Sequence, residues 1–145
     1  MAFHGTIVWN ELLTTDAAAA CAFYGRLFGW TFEAWPSDIG RYYLIHRPGG
    51  RHPIGGLFEW PAGEPGDGWQ IYLGVDDIEA QIEAAEAGGG RAGGIRDIAG
   101  VGRVAHVVDP LGCEFGMFQP VATWGADDYD PRPERSGAPA CRTGR

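Results

Sequence analysis

Basic residues are scarce. Eleven Lys and Arg stand against 19 Asp and Glu, for a formal net charge of −8. So acidic a surface repels phosphate backbones and anionic headgroups, which argues against nucleic acid and membrane surfaces as partners. Cysteine is also scarce: Cys21, Cys113 and Cys141 are odd in number and form no CxxC pair. That disfavours a disulfide framework or structural zinc site and fits a reducing, cytoplasmic setting. No apolar stretch approaches the roughly 20 residues that a membrane span needs. The N-terminal Met1-Ala-Phe-His-Gly has no basic region followed by an apolar run, so no signal peptide is expected.

What is present is a chain of 145 residues, enough for one domain or two fused half-domains. Its hydrophobic fraction of 45% suffices for a packed core, and six Trp supply large rings for core or pocket walls. An ordered domain is expected over residues 1–120. The polar, Pro-rich remainder, 121–145, lacks periodicity and reads as a flexible or surface-lying tail, with Trp124 and Tyr129 as its anchors.

Within the domain, Thr6–Leu12 is β-branched and aromatic and reads as a strand. Asp16 stands at a helix N-cap position, Phe23, Tyr24, Leu27 and Phe28 recur at helical spacing, and Gly29 is a stop. Strands are expected at Trp30–Trp35, Arg41–Arg47 and Pro53–Glu59. The order then starts again: a strand at Trp69–Val75, a helix capped by Asp77 and ended by Gly88-Gly-Gly, and strands at Arg91–Ile98, Arg103–Val108 and Cys113–Phe118. The linker between the halves is Pro61-Ala-Gly-Glu-Pro-Gly-Asp-Gly. Two strand–helix–strand–strand–strand units thus repeat at a period of about 60 residues. Asp16 falls opposite Asp77 and Gly29 opposite Gly90, and Gly56-Leu-Phe-Glu-Trp-Pro resembles Gly116-Met-Phe-Gln-Pro.

The chain resembles the vicinal-oxygen-chelate superfamily, which includes glyoxalase, bleomycin-resistance proteins and extradiol dioxygenases. The residues that carry the resemblance are Trp9-Asn-Glu-Leu-Leu-Thr-Thr-Asp, Ala22-Phe-Tyr-Gly-Arg-Leu-Phe-Gly-Trp, Gly74-Val-Asp-Asp-Ile and Val101-Gly-Arg-Val-Ala-His-Val-Val-Asp-Pro-Leu-Gly. It is similar in particular to the bacterial glyoxalase-like or hydroxylase-like branch. The resemblance implies an α+β fold: two tandem βαβββ modules, about 5–60 and about 68–120, form a curved antiparallel or mixed sheet around a cleft, with helices outside. It also implies a homodimer.

Metal-dependent members carry His, Gln or Glu at four convergent cleft positions, and the matching motifs here place Trp9, Gly56, Gln70 and Gly116 there. Indole offers only an N–H donor and glycine has no side chain. A single neutral Gln70 amide does not hold a divalent cation against water. No metal and no cofactor are therefore expected. Strand alternation puts Ile7, Trp9 and Glu11 on one face, Gln70, Tyr72 and Gly74 on one face, and Glu114, Gly116 and Phe118 on one face.

The expected ligand-binding cleft is Trp9, Glu11, Gly56, Phe58, Gln70, Tyr72, Gly116 and Phe118, an aromatic wall with few polar groups that suits a small-molecule ligand. Glu11 and His106 are the candidates for acid–base chemistry if the protein is instead a lyase, isomerase or oxygenase. A third alternative is an interaction domain whose cleft is filled by its own side chains, Trp9 foremost. His4, His46 and His52 are expected in solvent near strand ends. The glycines of Gly88-Gly-Gly-Arg-Ala-Gly-Gly follow a helix, so they suit helix termination better than phosphate binding. Cys113 has no base beside it in the sequence.

Overall fold

The structure, a computed structural model, describes residues 4–37, 40–61 and 68–122. The interior of the linker, the tail anchors Trp124 and Tyr129, and Cys141 lie outside these residues. The described residues divide into two compact units: 10–37, 40–61 and 68–69 in the first, and 4–9 with 70–122 in the second. The fold is α+β, and the elements follow the order expected.

In the first unit, β1 (Ile7–Thr14) leads to α1 (Ala17–Phe28), then β2 (Thr31–Trp35), β3 (Arg41–His46) and β4 (Gly55–Glu59). The strand order is β2-β3-β4-β1, with the β1–β4 pair parallel and the others antiparallel. The Asp16 carboxylate accepts from Ala19 N at 2.9 Å and starts α1. Gly29 ends it at φ 68°, a left-handed conformation open to glycine at little cost. One sheet face meets the helix, where Leu12, Ala17, Cys21, Phe32, Ile45 and Leu57 form a core. The fourth strand opens at Gly55 rather than Pro53, since a proline lacks the N–H that a ladder needs.

In the second unit, β5 (Gly68–Gly74) leads to α2 (Ile78–Ala87), β6 (Arg91–Ala92), β7 (Arg96–Ile98), β8 (Gly102–Val108) and β9 (Glu114–Pro120). Here β5 is parallel to β9, β9 is antiparallel to β8, and both β6 and β7 pair with β8. Asp77 caps α2 through Ala80 N at 3.0 Å. Val75, Ile78, Ala105, Val107 and Met117 form the core beneath this helix.

The duplication extends to a detail outside the motifs. The first amide of α1, Ala17 N, donates to Glu59 Oε2 at 2.8 Å. The first amide of α2, Ile78 N, donates to Gln119 Oε1 at 2.9 Å. Each helix is therefore held by the end of its own module's last strand, which satisfies a donor that no helical carbonyl can reach.

Gly88-Gly-Gly ends α2 as expected, with Gly89 in left-handed conformation (φ 92°); a Cβ on Gly90 would stand 2.8 Å from the Val108 carbonyl. The strand expected at Arg91–Ile98 is broken. From Ala92↔Val107 to Arg96↔Val104 the chain advances four residues (92 to 96) against three on β8 (107 to 104). One extra residue is a β-bulge, with Gly94 and Ile95 together opposite Ala105.

Candidate functional site

The sheet face turned away from each helix carries the candidate residues. In the first unit, directly paired positions Glu33, Leu44, Gly56 and Glu11 share a face. Trp35, Tyr42, Phe58 and Leu13 form the next row on that face. The Tyr42 ring lies across Gly56: a Cβ built on Gly56 would overlap its hydroxyl and ring carbons. Tyr42 and Phe58 are 6.3 Å apart between ring centroids, and Phe58 meets Trp60 edge-on at 5.3 Å. Beside this aromatic row Glu11 is buried and engaged by its neighbours.

The second unit repeats the device with a different tyrosine. Gln70 and Tyr72 on β5, Gly116 and Phe118 on β9, and Val104 and His106 on β8 share a face. A Cβ on Gly116 would overlap the Tyr72 ring. Tyr72, Val104 and Phe118 are buried together, with Trp9 and Val8 packed against them. The rings nearest the two glycines are thus Tyr42 and Tyr72, not Trp9, and Tyr42 carries no motif that sequence reasoning could have used.

Gln70 and Glu11 are the buried polar residues of the described chain. The Gln70 amide nitrogen stands 2.8 Å from His106 Nδ1. An amide N–H only donates, so Nδ1 accepts and the imidazole proton sits on Nε2. Burial holds His106 below the ordinary imidazole range, the Arg96 charge adds to this, and Glu114 opposes it. The ring is therefore neutral near neutral pH, and Tyr72 meets it edge-on at 6.1 Å.

Of the other histidines, His4 and His52 are exposed, as expected, and His46 departs from expectation. His46 is half-buried, with Nε2 2.9 Å from Glu33 Oε2. His4 Nδ1 accepts from Asp76 N at 3.2 Å. Cys113 is exposed, as a turn residue whose amide bonds Asp109 Oδ1 at 3.0 Å. Cys21 is a core residue.

The residues at the four positions do not fit a divalent ion. Two are glycines covered by tyrosine rings, one is an indole, and the Gln70 amide is turned to His106. Among the described residues no group of three or more His, Cys, Asp or Glu side chains is placed to hold a metal.

The glyoxalase-like domain family matches residues 6–118, and the chain belongs to it. It is similar to CFP32 of Mycobacterium tuberculosis (strain CDC 1551 / Oshkosh), a candidate glyoxylase, with 36% identity over 80% of this chain and 44% of that protein. It is also similar to the anthracycline biosynthesis protein DnrV of Streptomyces peucetius, with 30% identity over 85% of this chain and 50% of the other. The chain spans about half the length of these relatives. Among solved structures, methylmalonyl-CoA epimerase from Mycobacterium tuberculosis has the same fold, with a TM-score of 0.56, 16% identity and coverage of 81% of this chain and 89% of that one. The glyoxalase-like fold is therefore established. No helix among the described residues is long and apolar enough to cross a membrane.

Proposed function

We propose that this glyoxalase-like protein binds a small planar molecule without a metal. The observation that carries the reading is the pair of tyrosine rings over Gly56 and Gly116, which put hydrophobic surface where relatives with a metal present donors. Apolar walls with few polar groups are the usual composition of a ligand site. In the second unit the walls would be Trp9, Tyr72 and Phe118, with Gln70 and His106 as the polar groups; in the first, Phe58 would stand beside Glu11. Aromatic faces favour stacking on a planar ligand. One relative is named for anthracycline biosynthesis, so an anthracycline is the first probe.

The same reading treats residues 1–120 as one domain, of two modules at about 5–60 and about 68–120, with 121–145 as an appended tail. It takes the protein to be a cytoplasmic homodimer, which light scattering tests. Calorimetric titration with the anthracycline, and with simple planar aromatics, tests binding. Saturable binding that Tyr72→Ala and Trp9→Ala weaken supports the reading. If no planar ligand binds at millimolar concentration, the protein is an interaction domain with a filled cleft.

A second reading retains catalysis. His106 is neutral at physiological pH, so proton transfer through it is chemically open. Turnover abolished by His106→Gln or Glu11→Gln with the fold intact would favour a lyase or isomerase.

A further inference from the structure

The bulge in the second unit changes which face Arg96 occupies. In an unbroken register, continuing Arg91↔Val108 and Ala92↔Val107, Arg96 would oppose Arg103 on the α2 side of the sheet. Two like charges would then face each other. With the extra residue, Ile95 turns into the core under α2 and Arg96 pairs with Val104. Val104, His106, Tyr72 and Phe118 all lie on that face.

We propose that Arg96 and His106 together form a binding site for an anionic oxygen, such as the carboxylate of an aromatic acid, with Tyr72 and Phe118 as the apolar wall. The proposal rests on the reading of the protein as a small-molecule binder and names the chemical class of ligand at that site. Three independent features support it. Gln70 occupies Nδ1, so the Nε2–H of His106 is its remaining hydrogen-bonding group, and no acceptor for it is found among the described residues. Arg96 is exposed and has no ion pair among the described residues, whereas Arg103 is bound by both Glu79 and Asp97. Third, the bulge that brings Arg96 to this face is a feature that recurs beside functional sites because it re-aims a side chain.

The charged groups around His106 are consistent with an anion. Arg96 approaches from β7 closely enough to lower its proton affinity, and Glu114 acts from β9 in the opposite sense. Glu114 shares its row with Arg91, since both register with Val108. Gln70 and Tyr72 from β5 are neutral. A cation and a neutral N–H donor therefore remain for the ligand, and a guanidinium suits a carboxylate.

Benzoate and its neutral isostere benzamide distinguish this site from general aromatic binding. Each is titrated into the full chain and followed by NMR of the histidine ring nitrogens. The free protein is expected to show His106 with Nδ1 unprotonated and Nε2 protonated. Benzoate should shift the Nε2 signal and bind about tenfold more tightly than benzamide. Arg96→Gln should remove that preference, weakening benzoate by about tenfold more than benzamide. Equal affinities, a preference that survives Arg96→Gln, or a proton found on Nδ1 would overturn the inference. Benzamide or anthracycline binding without preference for the carboxylate removes this inference alone, whereas failure of every planar ligand removes the proposed function as well.

Discussion

The Tyr42 hydroxyl and ring occupy the space above Gly56 in which a side chain would otherwise project. Tyr42 comes from β3 and Gly56 from the neighbouring β4, so a residue of one strand fills the position left open by another. The pair makes a specific expectation about coupling. Gly56→Ala should destabilise by roughly 1–3 kcal/mol, because a methyl group there forces the ring aside. In a Tyr42→Ala background the same change should cost less than about 0.5 kcal/mol, and chemical denaturation of the four proteins gives the coupling. Additive costs would show that the ring and the glycine are independent.

The helix starts offer a second test. Glu59→Ala and Gln119→Ala each remove the acceptor of a first-turn amide. Each should cost about 0.5–2 kcal/mol in thermal or denaturant unfolding. Gln119→Glu should stabilise by about 0.3–1 kcal/mol, since a negative charge near a helix N-terminus is favourable. Loss of stability in Gln119→Glu would contradict the assigned role.

The pH dependence follows from His106. Its folded-state proton affinity is lowered, mainly by burial, while the unfolded ring titrates near the ordinary value of 6.5. The unfolded state thus binds more protons as pH falls. The contribution to stability is full above 6.5 and is lost as pH falls from there through the folded-state value. Denaturation curves for the wild type and His106→Gln, compared from neutral to mildly acidic pH, should therefore converge as pH falls. Parallel pH profiles would show that His106 titrates alike in both states.

The sequence carried the elements well because each was marked locally. Asp16 and Asp77 cap the helices and Gly29 ends the first, as side-chain and backbone chemistry require. The resemblance to the family was carried by motifs such as Ala22-Phe-Tyr-Gly-Arg-Leu-Phe-Gly-Trp. The bulge was not legible, although Gly93-Gly94 lay in plain view as a possible break in a strand. Whether two glycines mark a turn or shift a register depends on the partner strand, here β8. Arg96 was missed for that reason, and Tyr42 because its ring acts across a strand pair. Gly56 and Gly116 carry no side-chain donors, and only their neighbours reveal what takes the space.

Ligand affinity with and without metal tests the central claim most directly. The full chain is titrated calorimetrically with its planar ligand after exhaustive chelation, and again with added manganese or nickel, while metal content is measured on the same samples. Affinity should be the same in both conditions, with no divalent ion bound in a one-to-one ratio. One tightly held ion per chain, with binding lost on chelation and restored by the metal, would contradict the account.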